Sequence, residues 1–332
     1  MTKKIIIDKF GIADVLKIQS VVDQKDLEDS DVRIDVHYSG INFADIIMRQ
    51  GLYQDAPKRP FTPGYEVSGI VLETGKKVTH VKKGDQVFAG TQFGGYSSIV
   101  TLDQRFVFKL PDHLTLEEGA AMPVAFITAH AALIDMARVR KGDHVLIDCA
   151  TGGLGNICLQ LLQAVGAHAV GLTSSSHKKV LIEQYGAKAL THEEFILDKD
   201  TFDVVIDSSG GSGIMKRFKR LKPTGAIICL GISSGITGSK RNLLSIIKTV
   251  LTMPKISVVK LFNHNKGIYA LNALHIMQDA EYFERLRESF VDPVYSHLKP
   301  NIGKVFSYKE VANAHRSIEE RKTTGKVLLS WK

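Results

Sequence analysis

The strongest constraint on this chain is an apolar strand that runs into a glycine-rich turn and straight on into an apolar-striped helix: His144-Val145-Leu146-Ile147-Asp148-Cys149-Ala150-Thr151-Gly152-Gly153-Leu154-Gly155-Asn156-Ile157-Cys158-Leu159-Gln160. A helix that starts directly after a strand needs a sharp corner, and glycine lets the backbone make it without a steric clash. The first N–H groups of that helix then converge, with the positive end of its dipole, on a spot suited to a phosphate. The dinucleotide fingerprint is partial here, because Thr151 stands where its first glycine would fall. A tight corner without a ligand is the plainer reading of such a turn, and the surrounding segments decide between the two.

Beyond Pro123, apolar runs alternate with helical stretches: Val145 to Ile147, Ala169 to Leu172, Val204-Val205-Ile206 and Ile227-Ile228-Cys229-Leu230. Continuous apolar strands spaced by helices imply a parallel sheet covered on both faces. Before that point the pattern is different. Val32-Arg33-Ile34-Asp35-Val36-His37-Tyr38 alternates at period two, and Val67 to Leu72 and Val87-Phe88-Ala89 are set off by turn residues at Gly75, Gly84 and Asp85. A chain of 332 residues exceeds one ordinary core. The expected fold is α/β: a Rossmann-type doubly wound parallel sheet at residues 126–264, inserted in a mainly β catalytic domain formed by residues 1–125 and 265–332. Between 238 and 260, Lys240, Arg241, Lys248, Lys255 and Lys260 sit among apolar residues. An amphipathic helix with a solvated basic edge is the plainer reading of that stretch, and a membrane-surface or lid helix the sharper one.

A net charge of +8 favours anionic partners, but the basic residues are spread along the chain, which argues against nucleic acid and for a phosphorylated small molecule. Cys149, Cys158 and Cys229 are scattered and apolar-flanked, so neither a disulfide framework nor a cysteine zinc cage is expected. The opening residues hold too short an apolar run for a signal peptide, and the expected address is the cytoplasm.

The choice of nicotinamide is legible in the stretch after the second strand. An acid that grips the adenosine ribose belongs about 20 residues past the glycine turn. Here Thr173-Ser174-Ser175-Ser176-His177-Lys178-Lys179 offers hydroxyls and lysines, with no carboxylate before Glu183. That composition suits the 2′-phosphate of NADPH, although a serine run also caps a surface helix.

Several motifs in register now resemble a known family. Ser39-Gly40-Ile41-Asn42-Phe43-Ala44-Asp45, Gln50-Gly51-Leu52-Tyr53, Thr62-Pro63-Gly64-Tyr65-Glu66-Val67-Ser68-Gly69, Gly94-Gly95-Tyr96-Ser97 and Thr323-Thr324-Gly325-Lys326 resemble the zinc-free quinone oxidoreductase (zeta-crystallin-like) branch of the medium-chain dehydrogenase/reductase superfamily. The segment Lys260 to Lys266 is most similar to the VAT-1-type subgroup. The resemblance implies a GroES-like catalytic domain, a homodimer, and NADPH lying along Tyr53, Thr128, Thr151, Gly152, Gly153, Leu154, Gly155, Ser174, Lys178, His192, Phe262, Asn263 and Lys326. It also implies that the zinc ligands of alcohol dehydrogenases are replaced here by Asn42 and Tyr65, which are poor ligands.

Without a metal, hydride transfer must be helped by orientation and by hydrogen bonds to the developing oxyanion. A quinone or enone suits this best, since the added charge is delocalised. Asn42 is expected to donate an amide N–H to the substrate carbonyl or to the nicotinamide ribose. Tyr53 is expected to deliver a proton or to stack on the cofactor, and Asp45 either orients this cluster or caps the following helix. A reductase of 2-enoyl thioesters, and an NADPH-binding sensor or membrane-associated protein with little turnover, are the competing functions.

Overall fold

In the computed structural model, which describes residues 1–22, 26–236, 243–292 and 294–332, the apolar runs form strands as their pattern requires. The N-terminal part supplies β1 (Thr2–Ile7), β2 (Leu16–Val21), β3 (Asp31–Ile41), β4 (Glu66–Thr74), β5 (Gln86–Gly90), β6 (Ile99–Asp103) and β7 (Val107–Lys109). The central part supplies β8 (His144–Ile147), β9 (His168–Thr173), β10 (Lys188–Thr191), β11 (Phe202–Asp207), β12 (Leu221–Cys229) and β13 (Gly267–Ala270). The chain then returns to the first lobe with β14 (Ile302–Ser307) and β15 (Lys326–Ser330).

The central strands are parallel and lie in the order β10-β9-β8-β11-β12-β13. That is the dinucleotide-binding order, and it reverses between β8 and β11, where a crevice opens at the carboxyl ends of the strands. Buried Leu146, Val170, Leu172, Val205 and Ile227 pack one face of this sheet, while Val145, Ile147, Val204 and Ile228 pack the other. Placement on two faces explains why these strands carry no polar alternation.

The other lobe is a curled sheet of order β14-β15-β3-β4-β5-β7, with β6 also paired to β3. β3 alternates because only one of its faces meets the core, where Val32, Ile34 and Val36 are fully buried. The two lobes share a continuous aromatic core. Phe88 stacks on Phe108 at 5.2 Å, and Phe126, at the start of the nucleotide lobe, meets Phe290 at 4.3 Å.

The expected boundary at residue 264 is corrected by β13. It lies beyond that point, yet pairs with β12 from Ala226↔Gly267 to Cys229↔Ala270, so the nucleotide sheet extends into the segment assigned to the catalytic lobe. Of the basic stretch, Lys240 and Arg241 lie outside the described residues. The remainder includes helices Leu243–Leu251 and Val258–His264.

One charged pair in the catalytic lobe is wholly buried. Arg49, at the end of helix Phe43–Arg49, pairs with Glu319 of helix Val311–Glu319, and Gln50 donates to the same carboxylate oxygen at 2.9 Å. The pair ties the C-terminal helix to the helix that begins beside Asn42. Removing one member strands the other charge in the core. Glu319→Ala is therefore expected to lose about 3–5 kcal/mol of unfolding free energy, read as a lower urea midpoint with an unchanged slope.

Candidate functional site

The glycine turn sits at the carboxyl end of β8 and opens helix Gly153–Val165. No side chain caps this helix, so the N–H groups of its first turn stay available to a ligand. Gly155 is required by close packing, because a Cβ there would lie 2.6 Å from both the Ala150 Cα and the Cys149 carbonyl oxygen. Thr151 is held by the other lobe: its carbonyl accepts the Gly325 N–H at 2.8 Å, and Gly152 bridges Gly325 in parallel. Beneath the turn, the Asp148 carboxylate accepts the N–H groups of Cys149 at 3.0 Å and Ser209 at 3.2 Å. Arg217 lies between Asp148 at 3.6 Å and Asp207 at 2.6 Å, and it offsets part of their negative charge under the phosphate position.

At the end of β9 lies a polar nest. The Thr173 and Ser175 hydroxyls are buried without a hydrogen-bond partner among the described residues, and Ser174 beside them is exposed. Lys178 is buried, and its ammonium donates to the Arg321 carbonyl at 3.2 Å, with no carboxylate paired to it among the described residues. Two orphaned hydroxyls and a buried cation could hold an anion. Glu194, the carboxylate at the edge of this region, is occupied by Lys179.

On the opposite wall, Lys326 brings the lobes together. Its stem lies over Gly153, and its ammonium reaches Glu66 Oε1 at 2.5 Å and Asn42 Oδ1 at 2.6 Å. Asn42 Nδ2 donates to the same Glu66 oxygen at 2.8 Å, while the other oxygen accepts the Val124 N–H at 2.8 Å. The amide expected to serve the substrate is thus engaged between a carboxylate and an ammonium. Asp45 is a pin for the backbone. Its two oxygens accept the N–H groups of Asn42 at 2.8 Å and Gly64 at 3.0 Å. Burial raises its carboxyl from the ordinary 3.8 to about 7.

Tyr53 is half-buried, and its ring stands edge-on to Tyr65 at 6.5 Å. Its hydroxyl donates to Asn272 Oδ1 at 3.2 Å, and burial raises its pKa. The Tyr65 hydroxyl is buried without a hydrogen-bond partner among the described residues, and burial, reinforced by the Asp45 charge, holds its proton firmly.

These residues do not fit a zinc ion. Asn42 and Glu66 are engaged by Lys326, Tyr65 resists forming a phenolate, and no group of three or more potential ligands occurs among the described residues. A divalent ion would have to displace a buried ammonium.

The remaining expected residues are divided. Thr128 lies buried in helix Pro123–His130 with its hydroxyl bonded to the Val124 carbonyl at 2.6 Å. His192 is exposed at the start of helix His192–Leu197, just past β10. Phe262 and Asn263 are a correction. Their helix ends at Asn265, whose carbonyl accepts the Thr224 N–H early in β12, so they sit near the amino ends of the strands. Phe262 is 78% exposed. The cleft instead receives Asn272, which follows β13 and caps helix Ala273–Gln278. An asparagine just before a helical run was the available signal.

Two family profiles match the chain: "Alcohol dehydrogenase GroES-like domain" over residues 28–112 and "Zinc-binding dehydrogenase" over residues 177–329. The synaptic vesicle membrane protein VAT-1 homolog of Rattus norvegicus is 32% identical over 90% of this chain and 76% of its own length. Quinone oxidoreductase-like protein 2 of Mus musculus is 33% identical over 91% of this chain and 85% of its own. Among solved structures, the quinone oxidoreductase from Thermus thermophilus, described also in complex with NADPH, superimposes with a TM-score of 0.82 at 26% identity, covering 99% of each chain.

Between pH 3.8 and about 7 the folded chain holds the Asp45 proton more tightly than the unfolded chain does. That contribution to stability is full below the lower value and is lost as pH rises through the upper one. Asp45→Asn is expected to flatten the fall in stability across this window, as measured by urea unfolding at stepped pH.

Proposed function

Because the chain belongs to the medium-chain dehydrogenase/reductase superfamily, a family of oxidoreductases, we propose that it is a zinc-independent, NADPH-dependent reductase of quinones or α,β-unsaturated carbonyls. The observation that supports this reading is the Lys326 ammonium on Glu66 and Asn42, which engages the residue that the resemblance sets in place of a metal ligand and leaves hydrogen-bond donors, rather than a metal, to meet the acceptor. Such a cleft favours acceptors whose developing charge is already delocalised.

The cofactor, when bound, supplies a hydride to the acceptor. The chain's own part is to hold and to protonate. The N–H groups of Gly153, Leu154 and Gly155 would take the pyrophosphate, with Gly152 shaping the turn through its own N–H bond to the Cys149 carbonyl, Lys326 beside them and Thr128 and Thr151 flanking. Ser174, Ser175 and Lys178 would take the 2′-phosphate, with His192 further along the same edge. Tyr53, protonated at neutral pH, would donate to the developing oxyanion, with the buried Tyr65 beside it holding the ring in place. Asn42 and Asp45 act on this chemistry by holding Lys326 and the turn at Gly64. A homodimer built through the exposed edge of the nucleotide sheet, and a cytoplasmic address, belong to the same reading; no helix among the described residues is long and apolar enough to cross a membrane.

A second reading is favoured by one surface. Leu251, Val258 and Phe262 are each more than three-quarters exposed, with Lys255 and Lys260 exposed beside them, as a helix lying on an anionic membrane would present them. Co-sedimentation with anionic liposomes, with and without NADPH, tests it against the soluble reductase.

NADPH is expected to raise the melting temperature far more than NADH at equal concentration. Lys178→Ala should weaken NADPH binding by about tenfold or more, the value of one lost charge-assisted contact, while leaving NADH binding nearly unchanged. Nucleotide fluorescence titration reads both, and equal affinities in the native protein would overturn the NADPH assignment.

A further inference from the structure

Tyr53 is one end of a polar chain that crosses the mouth of the cleft. Its hydroxyl donates to Asn272 Oδ1 at 3.2 Å, Asn272 Nδ2 donates to Asp55 Oδ2 at 3.0 Å, and His275 Nε2 approaches the same Asp55 oxygen at 3.2 Å. Tyr53 and Asp55 come from the catalytic lobe. Asn272 and His275 come from the segment that leaves β13, at the carboxyl edge of the nucleotide sheet.

The direction of this chain is set by its chemistry. A carboxylate can only accept, so Asp55 fixes the amide with its nitrogen inward and its oxygen toward Tyr53. The oxygen is fixed a second time by the Leu274 N–H, which it accepts at 3.1 Å as the cap of the next helix. A phenol carried on the segment between helix Phe43–Arg49 and β4 thereby meets a fixed acceptor across the cleft.

We propose that Asn272 is a positioning residue, one that, braced by Asp55, holds the Tyr53 hydroxyl in place over the cleft for proton delivery to the acceptor. The inference rests on the reductase reading and extends it, since it names the group that aims the acid. On substrate binding, the acceptor oxygen replaces Asn272 Oδ1 as the partner of the phenol. A residue that merely capped its helix would need only an oxygen, and aspartate would serve as well as asparagine. Positioning needs an acceptor toward Tyr53 and a donor toward Asp55 on the same side chain.

This difference makes the test. Asn272→Asp keeps the shape and the cap but sets a second carboxylate against Asp55. It is expected to lower kcat for a small quinone and a 2-alkenal by about tenfold, below the full contribution of a positioned acid. The KM for NADPH should stay within about twofold, and the melting temperature should fall, since like charges now meet. The double variant Asp55→Asn/Asn272→Asp exchanges donor and acceptor and rebuilds the chain with the amide at 55. It is expected to recover kcat to within about threefold and to recover the melting temperature, a coupling that independent sites do not show. Native-like turnover in Asn272→Asp, or no recovery in the double variant, overturns the proposal. If the native enzyme reduces no quinone or enone while the melting temperatures follow this pattern, the reductase reading falls and the cross-cleft chain stands.

Discussion

The cleft depends on one buried charge pair. The Lys326 ammonium and the Glu66 carboxylate are both removed from water, and each is tolerable only because the other, together with the Asn42 amide and the Val124 N–H, satisfies it. Lys326 begins the last strand of the catalytic lobe, Glu66 begins β4, and Asn42 follows β3, so the pair sets where three strand ends meet. The stem of the same lysine covers Gly153. The glycine turn and the opposite wall are therefore held in register by this side chain together with the backbone bond from Gly325 to Thr151.

The separation of roles follows from that arrangement. Asp45 holds backbone and the Arg49–Glu319 pair ties two helices behind the wall, while Tyr53 reaches across to Asn272 with Tyr65 buried beside it. Raised proton affinities on both tyrosines have the same leading origin, removal from water. In the reductase reading the donor Tyr53 must keep its proton until an oxyanion develops, and burial is what chiefly favours this.

The sequence disclosed most of this where function depends on local pattern. The turn at residues 151–155 and the strand before it were legible because glycine spacing and an apolar run are properties of adjacent residues. The hydroxyls and lysine after β9 were legible for the same reason. Contacts between distant residues were not: Tyr53 and Asn272 lie 219 positions apart and meet only through the fold. Phe262 and Asn263 were misplaced because they were taken from resemblance in a stretch where strand β13 is only four residues long and begins at Gly267. Without that strand in view, neither the end of the nucleotide lobe nor the residue entering the cleft after it could be located. Asn42 was found, but the free donor assigned to it was already engaged by Glu66.

The pairing of β15 with β3 has a consequence for how the molecule is made. β3 occupies residues 31–41, whereas its neighbour arrives with residues 326–330, long after it in chain order. Throughout synthesis the first lobe must wait with an open sheet edge, while all the strands of the nucleotide lobe emerge ahead of β15 and can close around their own core. The nucleotide lobe is thus the natural early folding unit, and the sheet of the first lobe closes only once β15 has emerged.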